Sequence, residues 1–137
     1  MQGDFRWAEP RWIDVSDRVR WARLSPTGKR ALFEARGEIF TVPAKKGDPR
    51  NLTRSSGLNE RDATWSPDGK KLTYVDNGRN FYLMDIASGV STKIDTDELY
   101  RPGVFRPAHG DWSSDSKWIT YTRLTGTNFQ QEPEIIL

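Results

Sequence analysis

The chain has 137 residues, no cysteine, and 21 Lys and Arg against 19 Asp and Glu, which gives a formal net charge of +2. The lack of cysteine excludes disulfides, thiolate metal sites and a cysteine nucleophile, and the near-neutral charge gives no strong attraction to nucleic acid or to an anionic membrane. No apolar run approaches the roughly 20 residues of a membrane-spanning helix, and the first residues lack the apolar segment of a signal peptide. We therefore expect a soluble, aromatic-rich β protein, and the composition does not distinguish cytoplasm from periplasm.

One pattern occurs three times along the chain: an apolar residue, a serine, a tight turn, a basic residue and a strand of alternating character. Its serines, Ser25, Ser66 and Ser113, are 41 and 47 residues apart. The pattern predicts a strand, a hairpin turn and a second strand in each copy. From residues 23, 64 and 111 the copies read RLSPTGKRALF, TWSPDGKKLTY and DWSSDSKWITY.

The turn residues have a physical reason to recur. The serine can bond to the backbone ahead of it, proline presets φ, and the glycine accepts a positive φ. In the third copy Ser116 stands where the others have glycine. Because a non-glycine residue in the left-handed region costs roughly 1 kcal/mol, we expect the third turn to be the weakest.

Two further strands follow each hairpin. Residues 38–42 align with 80–85, and each segment is followed by a glycine turn and a short polar strand, at 50–53 and 92–95. The one helix candidate, 94–100, is too short and polar to matter. In the third copy the second strand spans 118–124, a longer connection follows, and 134–137 begins a third strand.

Four-stranded repeats of ~40–45 residues are typical of β-propeller blades, and propellers usually close with about 4–8 blades. We therefore predict an all-β partial propeller of about three four-stranded antiparallel blades. The predicted boundaries are 1–16 for an N-terminal outer strand or arm, 17–57 for blade 1, 58–99 for blade 2 and 100–137 for an incomplete blade 3.

A partial propeller leaves two sheet faces without neighbours. Either the chain is part of a longer protein, or copies assemble. In the second case, two three-blade halves form a six-bladed homodimer, and the segment 12–15 supplies the outer strand that the partner's blade 3 lacks.

At these residues the chain resembles a known family. Residues 65–74 resemble the TolB-type, WD-like propeller repeat. Residues 35–44, 50–53, 59–62, 118–121 and 126–129 resemble the N-terminal propeller of bacterial tricorn-like serine peptidases. The resemblance implies a six-bladed propeller followed by a separate domain that carries the serine nucleophile. No residue of this chain matches that catalytic domain, so what the resemblance implies is an accessory role in guiding peptides.

No catalytic, cofactor or metal site is expected. The repeated serines are turn residues, and no Gly-x-Ser-x-Gly elbow occurs. The single histidine, His109, fits a loop better than a general base. The acidic run at 95–98 lacks the spacing of a calcium loop, and Gly28-Lys29 lies in a hairpin rather than before a helix, which excludes a P-loop.

The loops that join one blade to the next, 54–62 and 96–109, should line one face of the propeller, where binding residues usually lie. Arginine there can clamp a carboxylate of a peptide, and the alternative is a set of inter-blade salt bridges. Basic and aromatic residues also alternate over 5–23, but acidic residues lie between them, so nucleic-acid binding is not expected. The candidate ligand or partner residues are Glu60, Arg61, Arg101, Arg106 and His109.

The sequence thus predicts a non-catalytic propeller module that binds a peptide or protein or assembles with itself, with no cofactor. Two alternatives remain: part of a hydrolase whose active site uses propeller residues, and a TolB-like envelope docking protein. The predicted core is Trp65, Leu72, Tyr74, Tyr82 and Met84 in blade 2, and Leu24, Leu32, Phe33, Phe40 and Val42 in blade 1.

Overall fold

The computed structural model describes residues 14, 17, 19–55, 57–96, 110–125 and 132–136. The described residues form eleven strands and no α-helix. The strands are β1 (Val19–Leu24), β2 (Arg30–Ala35), β3 (Glu38–Pro43), β4 (Arg50–Asn51), β5 (Arg61–Trp65), β6 (Lys71–Val75), β7 (Asn80–Asp85), β8 (Ser91–Thr96), β9 (Gly110–Trp112), β10 (Ile119–Thr125) and β11 (Glu132–Ile136).

The strands form three antiparallel sheets, each built from consecutive strands. Blade 1 is β1-β2-β3-β4, blade 2 is β5-β6-β7-β8, and blade 3 is the three-stranded sheet β9-β10-β11. The predicted meander of each repeat is confirmed. The helix candidate is not helical where it is described, because strand β8 continues to Thr96.

The first hairpin turn has the same geometry in all three blades. The backbone N–H of Ser66 donates to the carbonyl of Lys71 at 2.9 Å, and the Ser66 Oγ accepts from the Lys71 N–H at 2.9 Å. Ser113 makes the same two bonds with Trp118, at 3.0 and 2.9 Å. The φ angle is +64° at Gly28, +70° at Gly69 and +61° at Ser116. The third turn therefore holds a serine in the left-handed region, as predicted.

Replacing Ser66 by alanine should destabilise the fold more than the same change at Ser113. Ser66 is completely buried, so its loss leaves the Lys71 N–H without a partner, whereas Ser113 lies nearer to solvent. We expect the free energy of unfolding to fall by about 1–3 kcal/mol for Ser66→Ala and by less than about 1 kcal/mol for Ser113→Ala. Urea denaturation of both variants measures this, and equal losses would contradict the difference in burial.

The main hydrophobic core lies between blades 1 and 2. Side chains alternate between the two faces of a strand, and cross-strand pairing places Leu32 and Ile39 on one face of blade 1. We call the face of a blade that points to the next blade its front face, and the opposite one its back face. The core cluster joins this front face to the back face of blade 2 and comprises Leu32, Ile39, Ala63, Trp65, Leu72, Tyr74 and Met84.

A second cluster joins blade 2 to blade 3 in the same manner. Val75 and Phe81, on the front face of blade 2, pack against Tyr121 and the half-buried Ile119 of blade 3. The Phe81 and Tyr121 rings lie 5.0 Å apart. The Tyr121 hydroxyl also donates a hydrogen bond to the Asp95 carboxylate of strand β8 at 3.0 Å. Blades 2 and 3 thus each pack their back face on the front face of the blade before them.

The predicted core is confirmed in blade 2 and only in part in blade 1. In blade 2, Tyr82 is half-buried against the cluster and the other four predicted residues are buried. In blade 1, Leu32 is buried in the cluster, whereas Phe33, Phe40 and Val42 are half-buried outside it and Leu24 is 73% exposed. Leu24 lies on the back face of blade 1. The prediction assumed that another blade packs on this face, and the described residues include no such blade.

Among the residues that the structure describes, no blade covers the back face of blade 1, which is apolar. Leu24 pairs with Ala31, Ala31 with Val42, and Phe33 with Phe40, so these side chains share one face. We refer to Leu24, Ala31, Phe33, Phe40 and Val42 as the open face. Apart from Leu24 its members are half-buried.

Of the predicted outer-strand segment 12–15, only Asp14 lies within the described residues. Whether this segment forms an outer strand therefore stays a prediction.

No helix in the part of the chain that the structure describes is long and apolar enough to span a bilayer.

Candidate functional site

The structure describes two of the five predicted site residues. Glu60 and Arg61 lie where the loop from blade 1 enters blade 2. Arg101, Arg106 and His109 lie outside the described residues, so whether they meet Glu60 and Arg61 stays a prediction.

The hairpin between β2 and β3 positions this loop. Arg36 and Gly37 have φ angles of +55° and +79°, the left-handed pair of a two-residue type I′ turn. The Gly37 carbonyl accepts from the Glu60 N–H at 2.8 Å. A Cβ on Gly37 would lie 3.0 Å from Asn59 Oδ1 and 3.2 Å from Asn59 Cα, so glycine is needed both for the turn and for the close approach of the loop.

A cleft of about 560 Å³ opens between this hairpin, the loop and the start of β1. Its walls carry acidic, basic and aromatic side chains. It is lined by Asp17, Arg20, Trp21, Glu34, Ala35, Arg36, Gly37, Asn59, Glu60 and Arg61.

Glu34 crosses from blade 1 to blade 2. The pairing of β5 with β6 shifts between Arg61 and Thr64, and such a bulge leaves backbone groups without a ladder partner. The Glu34 Oε1 accepts from the Ala63 N–H in this bulge at 3.2 Å. Burial raises the pKa of the Glu34 carboxyl, and the Ala63 hydrogen bond opposes that rise. Glu34 therefore connects the two blades at the base of the cleft.

Glu60 is the more unusual carboxylate. It is 2% exposed, and its Oε1 accepts a hydrogen bond from the Ser55 hydroxyl. Burial raises the pKa of the Glu60 carboxyl, and side-chain hydrogen bonds from Ser55 and Thr53 oppose that rise. Hydroxyl groups of the segment after β4 thus help to hold this buried carboxylate in place.

Trp21 forms part of the cleft wall and is 59% exposed. It lies at a bulge in the pairing of β1 with β2, with a φ angle of +48°. Asp62 lies in the corresponding bulge of blade 2, with a φ angle of +56°. The bulge is thus part of the repeat, and in blade 1 it carries an aromatic ring. The Arg23 guanidinium lies 5.7 Å from the centre of that ring.

Glu60→Gln should change how stability depends on pH. Because the pKa of Glu60 is raised above 4.5 in the folded state, its protonation stabilises the fold below about pH 4.5, and this contribution is lost as pH rises through the folded pKa. Glutamine stays neutral, so the stability of the variant relative to wild type should improve from about pH 4.5 to about pH 7. Urea denaturation at both pH values measures this change.

The matched control is Asp48→Asn, which removes an exposed carboxylate in the turn between β3 and β4. It measures what the loss of one surface charge does to stability under the same conditions. A relative stability of Glu60→Gln that is the same at both pH values would contradict the assigned direction.

Among the described residues, no group of three or more His, Cys, Asp or Glu is placed to hold a metal ion. Asp95, from the acidic run considered above, lies in strand β8, where it accepts from the Tyr121 hydroxyl and from the Thr96 N–H at 2.7 Å. These contacts give Asp95 a structural role.

The cleft combines one residue pair that the sequence predicted with others that it did not. Glu60 and Arg61 are predicted from their place in a loop between blades. Glu34 and Trp21 are not. The signal for Glu34 is its position two residues after the buried Leu32, where an alternating strand normally places an apolar side chain.

No family model matches the chain. An uncharacterized protein of Agrobacterium fabrum is 36% identical over 86 residues, which cover 61% of this chain and 27% of that protein. A protein described as a tricorn-like protease C-terminal subunit, from Sulfurisphaera tokodaii, is 28% identical over 105 residues, covering 77% of this chain and 12% of that protein. The chain therefore spans well under half the length of these relatives.

Solved structures give the same fold. A protein assigned as TolB from Agrobacterium tumefaciens superposes with a TM-score of 0.58 at 27% identity, over 81% of this chain and 41% of that one. The tricorn protease superposes with a TM-score of 0.55 at 18% identity, over 85% of this chain and 12% of that one. The tricorn likeness is evidence for the fold alone. The resemblance to TolB and tricorn propeller repeats is thus confirmed, and the blades of this chain form part of a β-propeller.

Proposed function

We propose that this chain is a non-catalytic propeller module that acts by lateral assembly, and that two copies complete one ring through their exposed blade faces. The observation that carries the proposal is the open face of blade 1. It presents apolar side chains at the positions that blade 2 uses to pack on its neighbour.

The two blades correspond position by position. Leu24 pairs with Ala31 as Trp65 pairs with Leu72. Phe33 pairs with Phe40 as Tyr74 pairs with Tyr82. In blade 2 these side chains belong to the core cluster or pack against it, so their counterparts in blade 1 are suited to receive the front face of another blade.

Blade 3 offers such a front face. Tyr121 and Ile119 contact blade 2, so Trp118, the neighbour of Ile119 in sequence, points to the opposite side under strand alternation. Trp118 is 57% exposed. In a twofold pair, the front of blade 3 in each copy would cover the open face of blade 1 in the other, which closes the assembly.

The repeated serines support a non-catalytic role. Ser66 Oγ donates to the Asp68 carboxylate at 2.6 Å, and Ser113 Oγ donates to Asp115 at the same distance. Both serines also accept a backbone N–H within their turn. The hydroxyl groups of Ser66 and Ser113 therefore stabilise the hairpin turns in which they lie.

The mass of the protein in solution tests the assembly. Light scattering after size exclusion, at micromolar concentration, should give twice the 15.8 kDa of one chain. Small-angle scattering should then show a ring with a central channel. A single-chain mass at that concentration, or a ladder of larger assemblies, would overturn the two-copy ring.

A peptidase assay tests the non-catalytic part of the proposal. Purified protein should not cleave short peptide substrates. Turnover that is lost in the variant His109→Ala would instead support a hydrolase.

A further inference from the structure

We infer that Asn77 is a site of spontaneous chemical modification, at which the side-chain amide is lost and an aspartyl or isoaspartyl residue forms. Asn77 lies in the turn between β6 and β7 and is followed by Gly78. This turn belongs to blade 2, whereas the open face belongs to blade 1, so the inference goes beyond the proposed assembly and does not depend on it.

The freedom of the Asn77 side chain is the first observation. Of the four asparagines that the structure describes, three use their side chains in hydrogen bonds of 2.7 to 3.2 Å, namely Asn51, Asn59 and Asn80. The fourth, Asn77, is exposed, and its side chain makes no hydrogen bond with any other described residue. Its amide carbon, Cγ, is therefore free to turn towards the backbone.

The residue after Asn77 supplies the attacking group. The reaction needs the N–H of the next residue to reach the asparagine Cγ, and a side chain on that residue hinders the approach. Gly78 has no side chain, and its N–H makes no hydrogen bond within the described part of the chain. The other three asparagines are followed by larger residues, which are Leu52, Glu60 and Phe81.

The reaction balances with water alone. Hydroxide removes the proton from the Gly78 N–H, the nitrogen attacks Asn77 Cγ, and a C–N bond forms as the Cγ–Nδ2 bond breaks. The departing nitrogen takes a proton from water, which restores the hydroxide and releases ammonia. Water then opens the five-membered succinimide. Addition at Cγ gives aspartate, and addition at the Asn77 main-chain carbonyl carbon gives isoaspartate, whose main chain is one carbon longer.

The turn encloses a hydrogen-bond network that the product disturbs. Asp76 is 2% exposed, and its carboxylate accepts from the Asn80 N–H at 3.0 Å and from the Tyr82 hydroxyl at 3.1 Å. Its carbonyl accepts from the Arg79 N–H across the turn at 3.1 Å. There is little room for adjustment, since a Cβ on Gly78 would lie 2.9 Å from Asn80 Nδ2. A longer main chain and a second carboxylate beside Asp76 are both unfavourable here.

The same turn joins two residues that hold blade 3. Val75 is the last residue of β6, Phe81 is the second residue of β7, and both pack against Tyr121. An isoaspartate in the turn shifts the ends of β6 and β7 relative to each other. The modification should therefore loosen the contact between blades 2 and 3.

The rate of amide loss tests the site. Wild-type protein is kept at body temperature and mildly alkaline pH, and peptides that contain each asparagine are followed by mass spectrometry. Because hydrogen bonds have to break before the other three side chains can turn, we expect amide loss at Asn77 to be at least about tenfold faster than at Asn51, Asn59 or Asn80. Similar rates at all four would overturn the inference.

Asn77→Gln is the matched control. Glutamine keeps the side-chain amide, but its attack by the Gly78 nitrogen needs a six-membered ring, which closes far more slowly. A methyltransferase specific for isoaspartate should label a tryptic peptide of this turn in aged wild-type protein and not in the variant. Equal labelling of both proteins would contradict the assignment. Should the variant fail to fold, the comparison of the four asparagines within wild-type protein decides in its place.

Hydrogen exchange tests the effect on the fold. The modified fraction carries one more negative charge and is separated by ion exchange. We expect its backbone amides in β9 and β10 to exchange several-fold faster than those of unmodified protein, with β2 and β3 unchanged. Identical exchange in the two fractions would overturn the effect on blade 3.

Discussion

Replacing Trp65 with alanine is expected to lower the free energy of unfolding by about 3–5 kcal/mol. Trp65 is 8% exposed and lies in the core cluster between blades 1 and 2, against Leu32 and Ile39. Its indole Nε1 has no hydrogen-bond partner, so the substitution removes apolar contact and leaves a cavity without breaking a polar bond. Urea denaturation followed by circular dichroism measures the loss.

Trp21→Ala is the matched control for this measurement. It is the same substitution at a position that is 59% exposed, and we expect a loss of less than about 1 kcal/mol. A loss below about 1 kcal/mol for Trp65→Ala itself would contradict its place in the core.

Leu24→Glu is expected to convert the proposed two-copy assembly into single chains. Leu24 is 73% exposed on the open face, at the position that corresponds to the buried Trp65. A carboxylate there would have to be buried without a partner when the front face of another blade covers it, which is strongly unfavourable. Because the side chain is exposed in the single chain, the blade itself should still fold. Light scattering at micromolar concentration measures the mass.

The control for Leu24→Glu is Leu58→Glu, the same change at an exposed leucine of the loop before β5. Leu58 is 42% exposed and does not belong to the open face, so the assembly should persist. If Leu24→Glu keeps the wild-type mass, the contact between copies does not use this face.

The sequence predicted the repeat well because its turn chemistry is local. A serine that bonds to the backbone ahead and a left-handed residue are needed wherever this hairpin forms. The motif therefore predicts the turn even where Ser116 replaces glycine, and the structure confirms its φ of +61°. Strand alternation likewise separates the two faces of each blade.

Burial depends on what lies beside a blade, and the motif does not encode that. Leu24 and Trp65 occupy the same position of the repeat, yet one is 73% exposed and the other 8%. The difference arises because blade 2 has a described neighbour on its back face and blade 1 has none. A pattern that recurs in every blade predicts which side chains can be buried, and the neighbouring blade decides which of them are.

The cleft was predictable only in part. Glu60 and Arg61 follow from the general position of a loop between blades. Trp21 reaches the cleft through a bulge that shifts the register of β1, and strand alternation alone does not predict such a shift. Glu34 is there because an N–H of the corresponding bulge in the next blade requires an acceptor. The position of Trp21 thus depends on a local irregularity of one sheet, and that of Glu34 on a contact between two sheets.

The hairpin turn recurs in the same residue positions, and both contacts between described blades join a front face to a back face, so a blade carries little information about its order along the chain. A tandem duplication of one unit of 41 codons, the spacing from Ser25 to Ser66, would insert a blade whose two faces already suit its neighbours. Such a lineage can gain or lose whole units without inventing a new interface. Curvature, rather than side-chain chemistry, would then set how many units a closed circle accepts.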